Sequence, residues 1–168
     1  MRQLLLLAVL ISASLPLARS EVHAVRAGDS DFRAFISQWE AVQSRFINGD
    51  ATLWKQNASH REDATIFGAF GGYEKGWKEV GPRYDWASAQ FKDSGATQEI
   101  EYLNMGVSGD LAFTVGIEHQ LVRLSGAVGS APRALRVTQI FRKEGGKWKL
   151  LHRHADPLME KRAPSEVR

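Results

Sequence analysis

Residues 110–122 read DLAFTVGIEHQLV, and the periodicity of this run decides how the remaining segments fold. Side chains alternate between the two sides of a β-strand, so Leu111, Phe113, Val115 and Ile117 share one side, and His119 is the next position along it. The run predicts a half-buried strand with its apolar stripe turned inward and an imidazole near its far end. Three further strand-like runs surround it: TQEIEYLNMGV (97–107), RALRVTQIFRKE (133–144) and KWKLLHRHA (147–155). The segments between them, SGD, SGAVGSAP and GG, are turn chemistry, so the four runs predict an antiparallel sheet.

Helical spacing dominates upstream of these strands. Within DFRAFISQWEAVQSRFINGD (31–50), Phe32, Phe35, Ile36, Trp39, Val42 and Phe46 recur at i, i+3, i+4 and i+7, an aromatic-rich amphipathic helix. Ser30 or Asp31 is a suitable N-cap, and Asn48-Gly49 a suitable left-handed stop. Asp50 then opens a short second helix that buries Leu53 and Trp54. The glycine-rich DATIFGAFGGYEKG (63–76) predicts a strand running into a tight loop. Trp77, Val80, Tyr84, Ala87 and Phe91 predict a third helix, kinked at Pro82 or starting near it. Helices followed by antiparallel strands predict an α+β domain with the helices on one face of the sheet. A sheet that curls away from its helices leaves a hollow suited to a small ligand.

The chain has 168 residues, enough for one domain, and no cysteine, so no disulfide can brace it. Arg2, an apolar run over residues 4–13, Pro16, and Ala18 and Ser20 at A-x-S spacing predict a signal peptide at residues 1–20. The protein is therefore expected to be exported, periplasmic or secreted, with no membrane contact after cleavage. Residues 21–30 are expected to form an exposed leader, 31–157 the domain, and 158–168 a flexible charged tail. The formal charge of +3 includes Arg2 and Arg19, and the remaining basic residues are interspersed with acidic ones. No basic stripe tracks a phosphate backbone, which argues against nucleic-acid binding.

Four segments, FINGD (46–50), EDATIFG (62–68), GDLAFTVGIEHQ (109–120) and FRKEGGKWKLLHRHADP (141–157), resemble in order and spacing the SnoaL-like and ketosteroid-isomerase-like proteins of the nuclear transport factor 2-like superfamily. The resemblance implies a cone-shaped α+β barrel with a deep pocket, N-terminal helices packed on a curved, mostly antiparallel sheet, and a homodimer formed through that sheet. It does not imply a reaction, because this fold hosts isomerases, dehydratases, epoxide hydrolases, cyclases and binding modules. In ketosteroid isomerases a carboxylate base moves the proton, and a tyrosine and a protonated acid hold the oxyanion. Here Gly68 occupies the position of the base, Val42 that of the tyrosine, and Gln139 or Thr138 that of the acid. The resemblance therefore implies that the steroid-isomerase groups are missing.

The expected ligand is a small, largely apolar molecule lying against Phe113, Val115, Ile117, Trp39 and Gly68. His119 at the rim has three readings: a histidine satisfied at the sheet edge, a ligand contact, or an acid–base catalyst titrating near neutrality. Gln139 shares a side with Leu135, Val137 and Phe141, where its amide needs either a core network or a ligand. Trp148, Leu150, His152 and His154 fall on one side by simple alternation, with one histidine expected to close the pocket. A metal shared by His152, His154 and His119 is the lesser reading, and neither metal nor cofactor is expected. His60 with Asp63 is a possible acid–base pair, although Asp63 fits a turn at the strand start. Arg83, Asp85 and Trp86 fit a salt-bridged helix face near the pocket mouth. The GAFGGYEKG run has no lysine followed by serine or threonine, which a phosphate-binding loop requires. Whether the protein is an enzyme stays open. The alternatives to a binding module are a His-dependent lyase, isomerase or hydrolase acting on a small carbonyl or hydroxyl compound, and a structural dimerisation module.

Overall fold

The computed structural model describes residues 27–91 and 95–166; the signal-peptide expectation for residues 1–20 lies outside them. Three helices, α1 (Ala27–Phe46), α2 (Thr52–Asn57) and α3 (Trp77–Ala89), precede or interrupt a six-stranded sheet. The strands are β1 (Thr65–Phe67), β2 (Glu74–Lys75), β3 (Thr97–Ser108), β4 (Leu111–Val122), β5 (Ala131–Glu144) and β6 (Lys147–Pro157), in the order β2-β1-β6-β5-β4-β3. All neighbouring pairs are antiparallel except β1 with β6. The expected α+β class and curved, mostly antiparallel sheet are what the chain adopts.

Helix α1 begins four residues earlier than the expected caps, so Ser30 and Asp31 lie inside it. Asp31 instead accepts hydrogen bonds from Lys143 Nζ (2.6 Å) and Trp148 Nε1 (3.1 Å), pinning the first turns to the β5–β6 hairpin. Phe32, Ile36, Trp39, Val42 and Phe46 are buried, as the spacing requires. The helix ends at Asn48-Gly49, with Gly49 at φ 95°. The Asn48 amide accepts from Ala96 N (2.9 Å) and donates to Ala96 O (3.1 Å), which ties that end to the chain entering β3. Asp50 accepts from Thr52 N (2.9 Å) to start α2, and that bond with the nearby Arg45 holds its carboxyl down at about 2. Helix α3 starts at Trp77, and Pro82 sits in its interior rather than at its first turn.

The core sits between α1 and the concave side of the sheet. Phe32 meets Phe141 and Trp148 at ring-centroid distances of 5.4 and 5.1 Å, and Trp39 meets Trp54 at 4.5 Å and Phe141 at 5.8 Å. Small side chains on β4 accommodate this aromatic layer. Ala112, Thr114 and Gly116 point inward, and a Cβ on Gly116 would stand 2.5 Å from the Glu101 carbonyl oxygen. Two bulges bend the sheet. One lies between Tyr102 and Asn104 on β3, the other at Leu151, where Ile140 pairs with His152 but Phe141 with Leu150.

Candidate functional site

The inward side of β4 is opposite to the one expected. Ala112, Thr114, Glu118, Gln120 and Val122 are buried, whereas Leu111, Phe113, His119 and Leu121 are exposed. Phe113, Val115, Ile117 and His119 therefore line the outer face of the sheet and not the cone. The physical reason is volume: the aromatic stripe of α1 fills the concave side over the first half of β4 and leaves room there only for Ala112, Thr114 and Gly116, while Glu118 and Gln120 face inward beyond it. The apolar stripe of β4 is the uncovered side of the sheet.

The Leu151 bulge corrects β6 in the same way. It inserts one residue, so Trp148 and Leu150 point inward, but so do Arg153 and Ala155. His152 and His154 both face outward around the Phe67 ring, at 5.2 and 5.3 Å. His152 Nδ1 shares a hydrogen bond with the Thr65 hydroxyl (2.8 Å), and burial together with the neighbouring His154 lowers its pKa. His154 Nε2 lies 2.9 Å from Asp156, and His119 Nε2 lies 3.5 Å from Glu101. None of the described histidines lines the cavity, and no group of three or more metal-ligating side chains is gathered among the described residues.

Trp39 and Gln139 belong to the core. Trp39 is fully buried, and its indole N–H donates to Gln139 Oε1 (3.1 Å). Gln139 Nε2 in turn donates to Gln43 Oε1 (3.3 Å), so the amide is satisfied by protein rather than by a ligand. His60 stacks on Trp77 at 3.7 Å, away from Asp63, which receives both Nη atoms of Arg142 at 2.6 and 3.0 Å. Asp85 pairs with Lys55 of α2 and not within its own helix.

A cavity of about 50 Å³ opens between α3, the end of α1 and the far ends of β4, β5 and β6. Phe46, Ile47, Ile66, Ala87, Phe91 and Leu135 form its apolar walls, with Gly68 among them. Of the residues expected to hold a ligand, Gly68 alone lies in this wall. Its polar floor is Glu118, Gln120, Arg133 and Arg153, none of them anticipated. Arg153 grips Glu118 bidentately, Nη1 to Oε1 at 2.8 Å and Nη2 to Oε2 at 2.7 Å. Gln120 Nε2 donates to Glu118 Oε2 at 3.2 Å, and Gln120 Oε1 accepts from Arg133 Nε at 2.7 Å. Arg133 lies over the Phe91 ring at 4.9 Å and near Phe70 at 5.7 Å, and burial holds its guanidinium below its ordinary pKa. Tyr84 and Trp54 complete the wall; burial pushes the Tyr84 phenol up to about 12, against the opposing effect of the Trp54 indole N–H beside its hydroxyl.

The loop between β1 and β2 covers the mouth. Arg83 donates to the Gly71 carbonyl at 2.7 Å and lies 3.4 Å from Glu74, holding the loop so that Phe70 packs against Phe91 and Trp86. Gly71 and Gly72 take φ of 83° and 73°, a turn that other residues adopt poorly. One signal for this floor was present in the sequence. Glu118 and Gln120 alternate with the apolar stripe of β4, and opposing strand ends supply arginines at 133 and 153.

A family model of the SnoaL-like domain matches residues 33–160. No curated protein matches the chain. Among solved structures, the chain is similar to a nuclear transport factor 2-like superfamily protein from Salmonella enterica serovar Typhimurium, at TM-score 0.66 and 16% identity, covering 82% of this chain and 96% of that one. It is also similar to a protein described as a dehydratase of the NTF2-like family from Streptomyces avermitilis, at TM-score 0.64 and 17% identity over 78% and 97% of the two chains. A third, described as a ketosteroid isomerase from Shewanella frigidimarina, has TM-score 0.57 and 19% identity over 77% and 98%. At these identities the likeness concerns the fold.

Proposed function

The chain belongs to the SnoaL-like family, and from that premise we propose that it is a small-molecule-binding domain whose ligand enters the cone beneath Phe70. The observation that carries this reading is the cavity itself. Apolar walls surround a floor of charged side chains that are fixed to one another and held ready without a ligand. This floor revises the expectation of a largely apolar ligand toward one with an apolar body and a polar head. Steroid-isomerase chemistry is not part of the proposal. Gly68 has no proton acceptor to offer, Val42 is an apolar core residue, and Gln139 is committed to Trp39 and Gln43. His119 and His152 face away from the cavity, which removes the support for a histidine-dependent lyase, isomerase or hydrolase.

A thermal-shift panel of small ketones, lactones, alcohols and aromatic and aliphatic acids tests the reading. A compound at a hundred times its Kd adds about 2.7 kcal/mol, roughly 5–10 °C for a chain of this size. Gly68→Leu is expected to abolish the shift while leaving the ligand-free melt close to wild type. The Cβ site at Gly68 has only ordinary contacts, 3.7 Å to Arg83 and 3.9 Å to Ile66, so the added side chain grows into the cavity. No shift from any compound, or one that survives Gly68→Leu, would sink the reading.

The exposed outer face supports a second statement, that two copies pair through their sheets. Leu103, Leu111, Phe113 and Leu121 are exposed there, and the Phe113 ring lies against Gly106, where a Cβ would come within 2.8 Å of it. Light scattering is expected to give twice the chain mass for the wild type and a single chain mass for Phe113→Arg. A wild-type monomer would remove the pairing.

A further inference from the structure

The charges around the cavity do not balance. Three guanidinium groups, Arg83, Arg133 and Arg153, line it. Arg153 is neutralised by Glu118 at 2.7 Å and Arg83 by Glu74 at 3.4 Å. Arg133 has no carboxylate within ion-pair distance among the described residues, and the nearby carboxylate of Glu118 is already held by Arg153 on both oxygens. Among the described residues, Arg133 makes a side-chain hydrogen bond from Nε to Gln120, and none of them offers an acceptor to its terminal nitrogens. Arg133 is half-buried among Phe70, Phe91 and Leu135, where partial loss of water disfavours its charge and an anionic partner would restore it.

We propose that the cone binds a short monocarboxylate, with the carboxylate on the free edge of the Arg133 guanidinium and the carbon tail against Phe46, Ala87, Phe91 and Leu135. One uncompensated positive charge matches one negative charge, and a guanidinium edge matches a planar carboxylate. The cavity volume sets the length. About 50 Å³ accommodates roughly three to five water-sized groups, two of them carboxylate oxygens, hence an acid of roughly one to three carbons, with butyrate at or beyond the limit. The proposal rests on the cone being a ligand site, and it narrows the ligand to an anion.

The test is calorimetric titration of the full chain with sodium acetate, propionate and butyrate, beside acetamide, propionamide and butyramide, at constant ionic strength set with sodium chloride. Each carboxylate that fits is expected to bind about tenfold or more tightly than its amide. Arg133→Gln is expected to erase that preference, and Arg133→Lys to keep a reduced one. Equal affinity for acid and amide would overturn the anion site and leave a ligand-binding cone standing. A preference that persists in Arg133→Gln would overturn the role of Arg133. If nothing in the acid and amide series binds but a neutral compound of the wider panel does, the carboxylate fails alone; if neither panel binds, both readings fail. Should Arg133→Gln not fold, the acid–amide comparison on the wild-type chain decides the matter.

Discussion

Glu118→Ala is expected to cost about 3–5 kcal/mol. Glu118 is 3% exposed and satisfies both Nη atoms of Arg153. Its removal leaves a buried guanidinium with no counter-charge, close to a second one on Arg133. Desolvation of an unpaired charge is what makes such a deletion severe, whereas the intact pair contributes little net stability. The double substitution Glu118→Leu with Arg153→Leu is therefore expected to recover most of the loss, because it removes both charges together. Thermal denaturation reads the difference: roughly 6–20 °C for the single variant, and a few degrees for the double. A double variant as unstable as the single would show that the two groups are not energetically coupled.

Trp39→Ala is expected to cost a similar amount, about 3–5 kcal/mol, for a different reason. The indole is fully buried and forms the centre of an aromatic layer with Trp54, Phe35 and Phe141. Truncation opens a void that the flanking rings are too rigid to close, and it strands Gln139 Oε1. Trp39→Phe narrows the comparison, because it keeps an aromatic ring in the layer while losing the donor and a smaller part of the volume. That variant is expected to lose about 1–3 kcal/mol through the unsatisfied amide oxygen. Adding Gln139→Leu to it should return part of this, because the orphaned acceptor disappears. Urea denaturation midpoints of the four proteins decide the matter. Equal midpoints for Trp39→Phe and wild type would show that the hydrogen bond contributes nothing.

The elements of the fold were legible because they rest on local rules. The i, i+3, i+4 stripe of α1 meets the core at Phe32, Ile36 and Trp39, and the Asn48-Gly49 stop ends the helix where left-handed backbone is needed. Strand boundaries followed from turn residues at Gly109, Gly126 and Gly145-Gly146, all with positive φ. The candidate site was not legible, because it depends on which side of each strand faces inward. In β4 the larger apolar residues mark a face turned away from the helices, and inward positions are small or charged. Alternation identifies two sides but does not say which one a neighbouring helix covers. In β6 alternation itself fails, since Leu151 shifts the pattern by one residue midway along the strand. Gly68, taken from the resemblance as the position of the isomerase base, lies in the cavity wall, because a loop position after β1 does not depend on which side of a strand faces inward.

The Leu151 bulge has a consequence beyond bending the sheet. It acts as a parity switch in the coding of β6: upstream of it one set of alternate residues reads inward, downstream the other set does. Loss of the Leu151 codon alone would restore strict alternation with Arg153 and Ala155 still inward, whereas a strand that kept every residue but paired without the bulge would exchange Arg153 for His152 in the lining of the cone. Strands of equal length and nearly identical sequence, one with the bulge and one without it, can therefore present unlike chemistry to the cone. Column-by-column comparison of such sequences would pair an inward residue of one protein with an outward residue of the other. Within this fold, the spacing from the bulge to the strand end is a better guide to cavity chemistry than residue identity at an aligned position.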